Sequence, residues 1–136
     1  KFRMKIDSEK VTVNAAATEV FDFLKDTANI YALLPKDNVS DFQSDAISCS
    51  FKVQGGIVIT LVQEELKAGE YIKMKSGEKS PFPFDLVVHL SEVDGQTTGY
   101  LAFDGKINAF MKVMVQKPLT NLFNYMSRKL KENFED

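Results

Sequence analysis

Few side chains in this sequence are equipped for chemistry. There is one histidine, His89, and one cysteine, Cys49. A disulfide framework needs pairs of cysteines, and a Cys/His zinc site needs more ligands than one of each. No metal or cofactor site is therefore expected. His89 stands in Phe84-Asp85-Leu86-Val87-Val88-His89-Leu90. On a strand this alternation places Phe84, Leu86, Val88 and Leu90 on one face and Asp85, Val87 and His89 on the other. With the apolar set inside, His89 points to solvent. With the parity reversed it becomes an interior base, and acid–base catalysis re-enters. Cys49 shares parity with Ile47, Phe51 and Val53, and no His or Arg lies close in sequence to lower its pKa, so it is expected to be a buried, inert thiol. Glu64 and Glu65 are consecutive, so on a strand they point to opposite faces and form no carboxylate pair. Gly55-Gly56 and Gly105 open no helix in a Gly-x-Gly pattern, which excludes a phosphate-binding loop.

The richer signal is apolar. The chain has eleven Phe and five Met, but no Trp. Met111, Met114, Val115, Leu119, Leu122, Phe123, Met126 and Leu130 recur at three- and four-residue steps, the stripe of one helix. Facing them would be Phe51, Ile59, Met74, Phe84, Leu86, Leu101 and Phe103 from strands. Two readings follow. Either the two surfaces fill a core, or they leave space for an apolar ligand, which the flexible thioethers of Met would accommodate. On the second reading the ligand-binding set is Phe51, Ile59, Met74, Phe84, Leu86, Leu101, Phe103, Met111, Met114, Val115, Leu122, Phe123 and Met126.

The elements that must position these residues are legible in the periods. From Phe2 to Val13 apolar residues alternate with polar ones, interrupted over Asp7 to Lys10, which reads as a half-buried strand. From Ala15 the period becomes helical through Val20, Phe21, Phe23 and Leu24, with Asn14 and Thr18 as candidate caps. A second short helix holds Ile30, Tyr31, Leu33 and Leu34 and should stop before Pro35. A long stretch of period two follows: Ile47 to Val53, Ile57 to Leu66, Tyr71 to Lys75, Phe84 to Val93 and Thr97 to Ile107. Gly55-Gly56, Ala68-Gly69 and Asp94-Gly95 supply its turns. Ser76 to Pro83 is a loop; Lys79 to Phe84 reads either as a mobile segment over a cavity mouth or, the favoured reading, as a connection stiffened by its prolines. The final segment is a long helix with Pro118 inside, where a kink or restart is expected. The class is α+β: one strand, two short helices, about five antiparallel strands in a meander, and a C-terminal helix across the concave face.

Charge and length narrow the function classes. The 136 residues suit a single domain over 1–136. With 17 basic and 19 acidic residues the net charge is −2. That balance lacks the one-sided basic surplus of a nucleic-acid module. The richest basic cluster, Arg128, Lys129 and Lys131, suits a helix C-terminus. No apolar run approaches the roughly 18 residues of a membrane span. The segment Lys1-Phe2-Arg3-Met4-Lys5 has charge but no apolar region behind it, unlike a secretory leader. A cytoplasmic location is the default expectation.

The element order resembles the helix-grip fold of the START and birch-pollen-allergen superfamily (SRPBCC), which includes polyketide cyclases and coenzyme Q-binding proteins. Three stretches carry the resemblance: Val11-Thr12-Val13-Asn14-Ala15-Ala16-Ala17-Thr18-Glu19-Val20-Phe21-Asp22-Phe23-Leu24, Leu34-Pro35, and Lys117-Pro118-Leu119. Many relatives carry Pro where this chain has Ala15-Ala16-Ala17. The resemblance implies a curved antiparallel sheet wrapped around the C-terminal helix, with an elongated cavity between them for lipids, sterols, quinones, polyketides or plant hormones. The leading expectation is therefore a protein that binds an apolar or amphipathic, lipid-like small molecule without chemistry of its own. An enzyme of the cyclase, dehydratase or hydrolase kind is the second reading, with His89, Tyr71 and Tyr100 as its first candidates. A module that docks a partner or a second copy as a homodimer is the third.

Overall fold

The computed structural model describes residues 3–135. Phe2, which the spacing places on the first strand, lies outside them, as do Lys1 and Asp136. The interruption after Asp7 divides the first alternation into two strands, β1 (Arg3–Asp7) and β2 (Val11–Val13). Met4, Ile6, Val11 and Val13 are their buried residues. Helix α1 (Ala17–Lys25) buries Val20, Phe21 and Leu24. Neither Asn14 nor Thr18 caps it. The N-cap is Ala16, which has no side chain to offer, and the Glu92 carboxylate instead accepts the Ala17 N–H at 2.7 Å. The second short helix is a 3-10 helix over Thr27–Leu33, capped by Asp26, and Leu34 ends it before Pro35.

Six strands follow where about five are expected: β3 (Val39–Ser44), β4 (Ser48–Val53), β5 (Ile57–Lys67), β6 (Tyr71–Ser76), β7 (Phe84–Val93) and β8 (Gln96–Lys106). The additional strand is β3, whose Val-Ser-Asp-Phe-Gln-Ser run has no clean alternation because none of its residues is fully buried. Ile47, expected on the buried parity of β4, sits in the bend before that strand and is exposed. The sheet order is β1-β8-β7-β6-β5-β4-β3, antiparallel throughout, with β2 also paired to β8. Asp94 and Gly95 both have positive φ, 53° and 79°, as the tight β7–β8 turn requires. The free edge at β3 is irregular between Ser40 and Gln43, with Asp41 at φ 58°, a distortion that discourages another strand from pairing there.

Helix α2 (Ala109–Asn133) is a single 25-residue helix that runs unbroken through Pro118, so the sequence restarts nothing there. Asn108 caps it by accepting the Met111 N–H at 2.8 Å. Its buried face, Val115, Leu119, Leu122, Phe123, Met126, Ser127 and Leu130, packs over β1, β2, β8 and the 3-10 helix. Sheet and helix thus form the α+β helix-grip arrangement, with the core between them. No helix among the described residues is long and apolar enough to cross a membrane.

Candidate functional site

Most of the interior is filled, and a group of Phe rings is packed together within the aliphatic side chains. Phe103 is the hub: it packs on Phe84 at 5.0 Å, on Phe123 of α2 at 5.4 Å, and on Phe82 at 6.3 Å between ring centroids. Phe82 belongs to the loop after β6, yet it is buried. That loop is held from below as well, since Ser80 Oγ lies 2.8 Å from Thr60 Oγ1. Gly105 is required beside these rings, because a Cβ there would stand 2.9 Å from Phe103.

The sequence-predicted ligand set divides four ways. Phe51, Ile59, Phe84, Phe103, Val115 and Phe123 are buried in the packed core. Met74, Leu86, Leu101 and Met126 border an apolar void, together with Leu24, Ile30, Leu33 and Leu61, but its volume is only about 20 Å3. That holds about one water-sized probe and no lipid-sized molecule. Met111 is partly buried against the core, whereas Met114 is exposed and stands apart from the others. Leu122 alone of the set reaches the larger space described next.

That space is a cleft of about 580 Å3 between the middle of α2 and the β3–β4 end of the sheet. Pro35, Val39, Val53, Pro118 and Leu122 give it an apolar floor, and Asn38, Gln54, Lys117, Asn121, Tyr125 and Arg128 surround that floor with polar groups. The volume falls within the usual range of small-molecule sites. No carboxylate lines it. Arg128 already pairs with Glu9 at 2.9 Å, while Lys117 has no ion-pair partner among the described residues. The cleft is thus amphipathic, with a positive bias.

No sequence pattern brings these residues together. The cleft's polar residues sit just before β3 (Asn38), just after β4 (Gln54) and on the flank of α2, where no period marks them. A signal was present nonetheless. Leu34-Pro35 and Lys117-Pro118-Leu119, distant in sequence, meet here through Pro35, Lys117 and Pro118.

The chemistry-bearing side chains lie elsewhere. Phe84, Leu86, Val88 and Leu90 are buried, and His89 is half-buried on the opposite face of β7. It stacks on Tyr100, its cross-strand neighbour, at 4.9 Å and 21°. Lys10 stands over the same Tyr100 ring at 5.3 Å. Tyr71, opposite His89 on β6, donates its hydroxyl to Glu65, and this bond raises the phenol's pKa. Glu64 lies at a bulge and pairs with Lys73 and Lys75 at 3.5 and 3.7 Å. Cys49 is buried on β4, three strands away from His89 on β7, so the two form no nucleophile–base pair.

No protein-family model matches the sequence, and no curated protein matches it. Solved structures do match in shape. A START superfamily protein from Mycobacterium smegmatis aligns with a TM-score of 0.73 at 10% identity, over 96% of each chain. The KanY protein aligns at 0.78 and 14% identity over all of both chains. A protein from Thermus thermophilus aligns at 0.73 and 14% identity, over 96% of this chain and 97% of its own. Likeness at such low identity speaks to architecture, and it agrees with the strand order and the position of α2. The chain has the START-like helix-grip fold.

Proposed function

We propose that this chain binds an amphipathic small molecule, with an anionic or strongly polar head, in the cleft between α2 and the β3–β4 end of the sheet. The observation that carries this reading is the cleft's composition: an apolar floor, a ring of hydrogen-bonding side chains, and Lys117 with no carboxylate beside it. Apolar contact on Val53 and Leu122 would supply affinity, and Lys117, Asn121 and Tyr125 would orient the head. The START-like fold supports a ligand-binding scaffold of this kind, and a fold by itself names no ligand. A longer apolar tail would follow α2 inward from Leu122 to Met126, one turn on, and press into the small void beside Met74, Leu86 and Leu101. That route needs side chains to move, which the thioethers of Met74 and Met126 allow at low cost.

Titration calorimetry with dodecanoate tests the reading. Saturable binding at one site per chain is expected, with a negative heat-capacity change from apolar burial. A titration that never saturates, or one with no heat at any temperature, removes it.

A further inference from the structure

The first two turns of α2 are built unlike the rest of the helix. Phe110, Val113 and Met114 are 73%, 82% and 55% exposed. Their i, i+3, i+4 spacing makes one continuous apolar stripe on the helix face turned away from Val115 and Leu119. This is not a frayed end, because the Asn108 side chain caps it. Scattered exposed apolar residues need no explanation, but three large ones side by side do.

The charge near the stripe is equally one-sided. Its neighbours along the chain are Lys106, Lys112 and Lys117, none of them ion-paired among the described residues, and no acidic residue stands between Asp104 and Glu132, although the whole chain has a net charge of −2. The first turn of α2 has no acidic residue. A helix start ordinarily favours Asp or Glu, because the macrodipole is positive there. Lys112, one turn in, works against that preference.

We infer that this end of α2 docks on an anionic phospholipid surface. Phe110, Val113 and Met114 would enter the boundary between headgroups and acyl chains, and Lys106 and Lys112 would meet lipid phosphates. Charge complementarity selects this occupant. A second copy of the chain would bring the same lysines against themselves, and three side chains are far short of the roughly 800 Å2 per partner that a stable dimer buries. The inference does not depend on what the cleft holds, since neither Phe110 nor Val113 lines it.

Co-sedimentation with vesicles is the test, comparing phosphatidylcholine alone with phosphatidylcholine containing phosphatidylglycerol. Binding to the anionic vesicles is expected, weakening as salt is raised. A Phe110→Ser/Val113→Ser variant should lose about tenfold or more in partitioning. A Lys106→Ala/Lys112→Ala variant should lose about fivefold for each lysine on anionic vesicles alone. All four side chains are exposed or half-buried, and unchanged circular dichroism should verify that the variants fold. Dodecanoate binding by the Phe110→Ser/Val113→Ser variant should be unaltered, which separates this inference from the cleft reading. No binding to anionic vesicles, or equal binding by wild type and variants, overturns it. So does a concentration-dependent dimer that Val113→Ser abolishes in the absence of any vesicle binding.

Discussion

Ser8 Oγ and Ser127 Oγ lie 2.8 Å apart, both buried, and join the break between β1 and β2 to the C-terminal half of α2. Ser8 also completes the sheet. Its N–H donates to the Leu101 carbonyl at 2.8 Å, and its Oγ accepts the Leu101 N–H at 2.8 Å. Removing Ser8 therefore orphans a buried backbone donor as well as the Ser127 hydroxyl, whereas removing Ser127 orphans much less. Ser8→Ala should cost about 2–3 kcal/mol in urea unfolding and Ser127→Ala about 1 kcal/mol. The double variant should cost less than the sum, and strict additivity would disprove the coupling.

Glu92 reaches across from β7 to cap α1 at Ala17. Glu92→Ala should destabilise by about 1 kcal/mol, as for loss of a side-chain cap. Glu92→Gln keeps an acceptor oxygen and should cost less. Equal losses in the two variants would show that the cap contributes nothing.

Phe103 touches rings from the loop before β7, from β7 itself and from α2. Phe103→Ala should lower stability by about 3–5 kcal/mol, because a close-packed interior collapses only in part around a missing ring. A loss under about 1 kcal/mol would mean that the interior rearranges freely.

Burial pushes the Cys49 thiol up from 9.0 to about 12, with a smaller contribution from the charge of Asp45. The folded chain keeps this proton in a window where the unfolded chain has lost it. Stability from this group is therefore complete below 9.0 and falls as pH rises toward about 12. Cys49→Val should flatten that alkaline slope in denaturant titrations. The native thiol should also resist a thiol reagent near about pH 8 and react on unfolding.

Lys117→Glu places a carboxylate in the cleft and should weaken dodecanoate binding by about tenfold or more. Tyr71→Phe, which alters the opposite face of the sheet, should leave it unchanged. Binding that ignores Lys117→Glu would locate the ligand elsewhere.

Much of this fold is legible in the sequence because burial imposes a period. β7 reads cleanly from Phe84 to Leu90, and α2 reads cleanly from Val115 to Leu130, since each element has one buried face. β3 escapes notice for the converse reason: it closes the sheet edge, buries nothing fully, and carries its irregularity at Asp41. Ile47 misleads because parity runs on past the residue where the strand begins. Met114 misleads because stripe membership is angular, and it falls at the flank of the helix, where the sheet no longer covers it. The cleft depends on β3 and on the volume left between elements, and neither leaves a periodic mark. The packing of Phe103 against Phe84 and Phe123 is likewise a matter of shape, so apolar pattern alone could not separate a filled interior from a hollow one.

β8 pairs with β1, β2 and β7. Arg3 and its partner Asp104 are 101 residues apart in sequence. During synthesis β1 and β2 therefore emerge well before their partner strand, and they wait until β8 has followed. Closing such distant pairs is slow, because the loop entropy is lost before the contacts form. A nascent chain halted before β8 leaves Met4, Ile6, Val11 and Val13 without the strand they pair with, so the late arrival of one strand prolongs their exposure to aggregation.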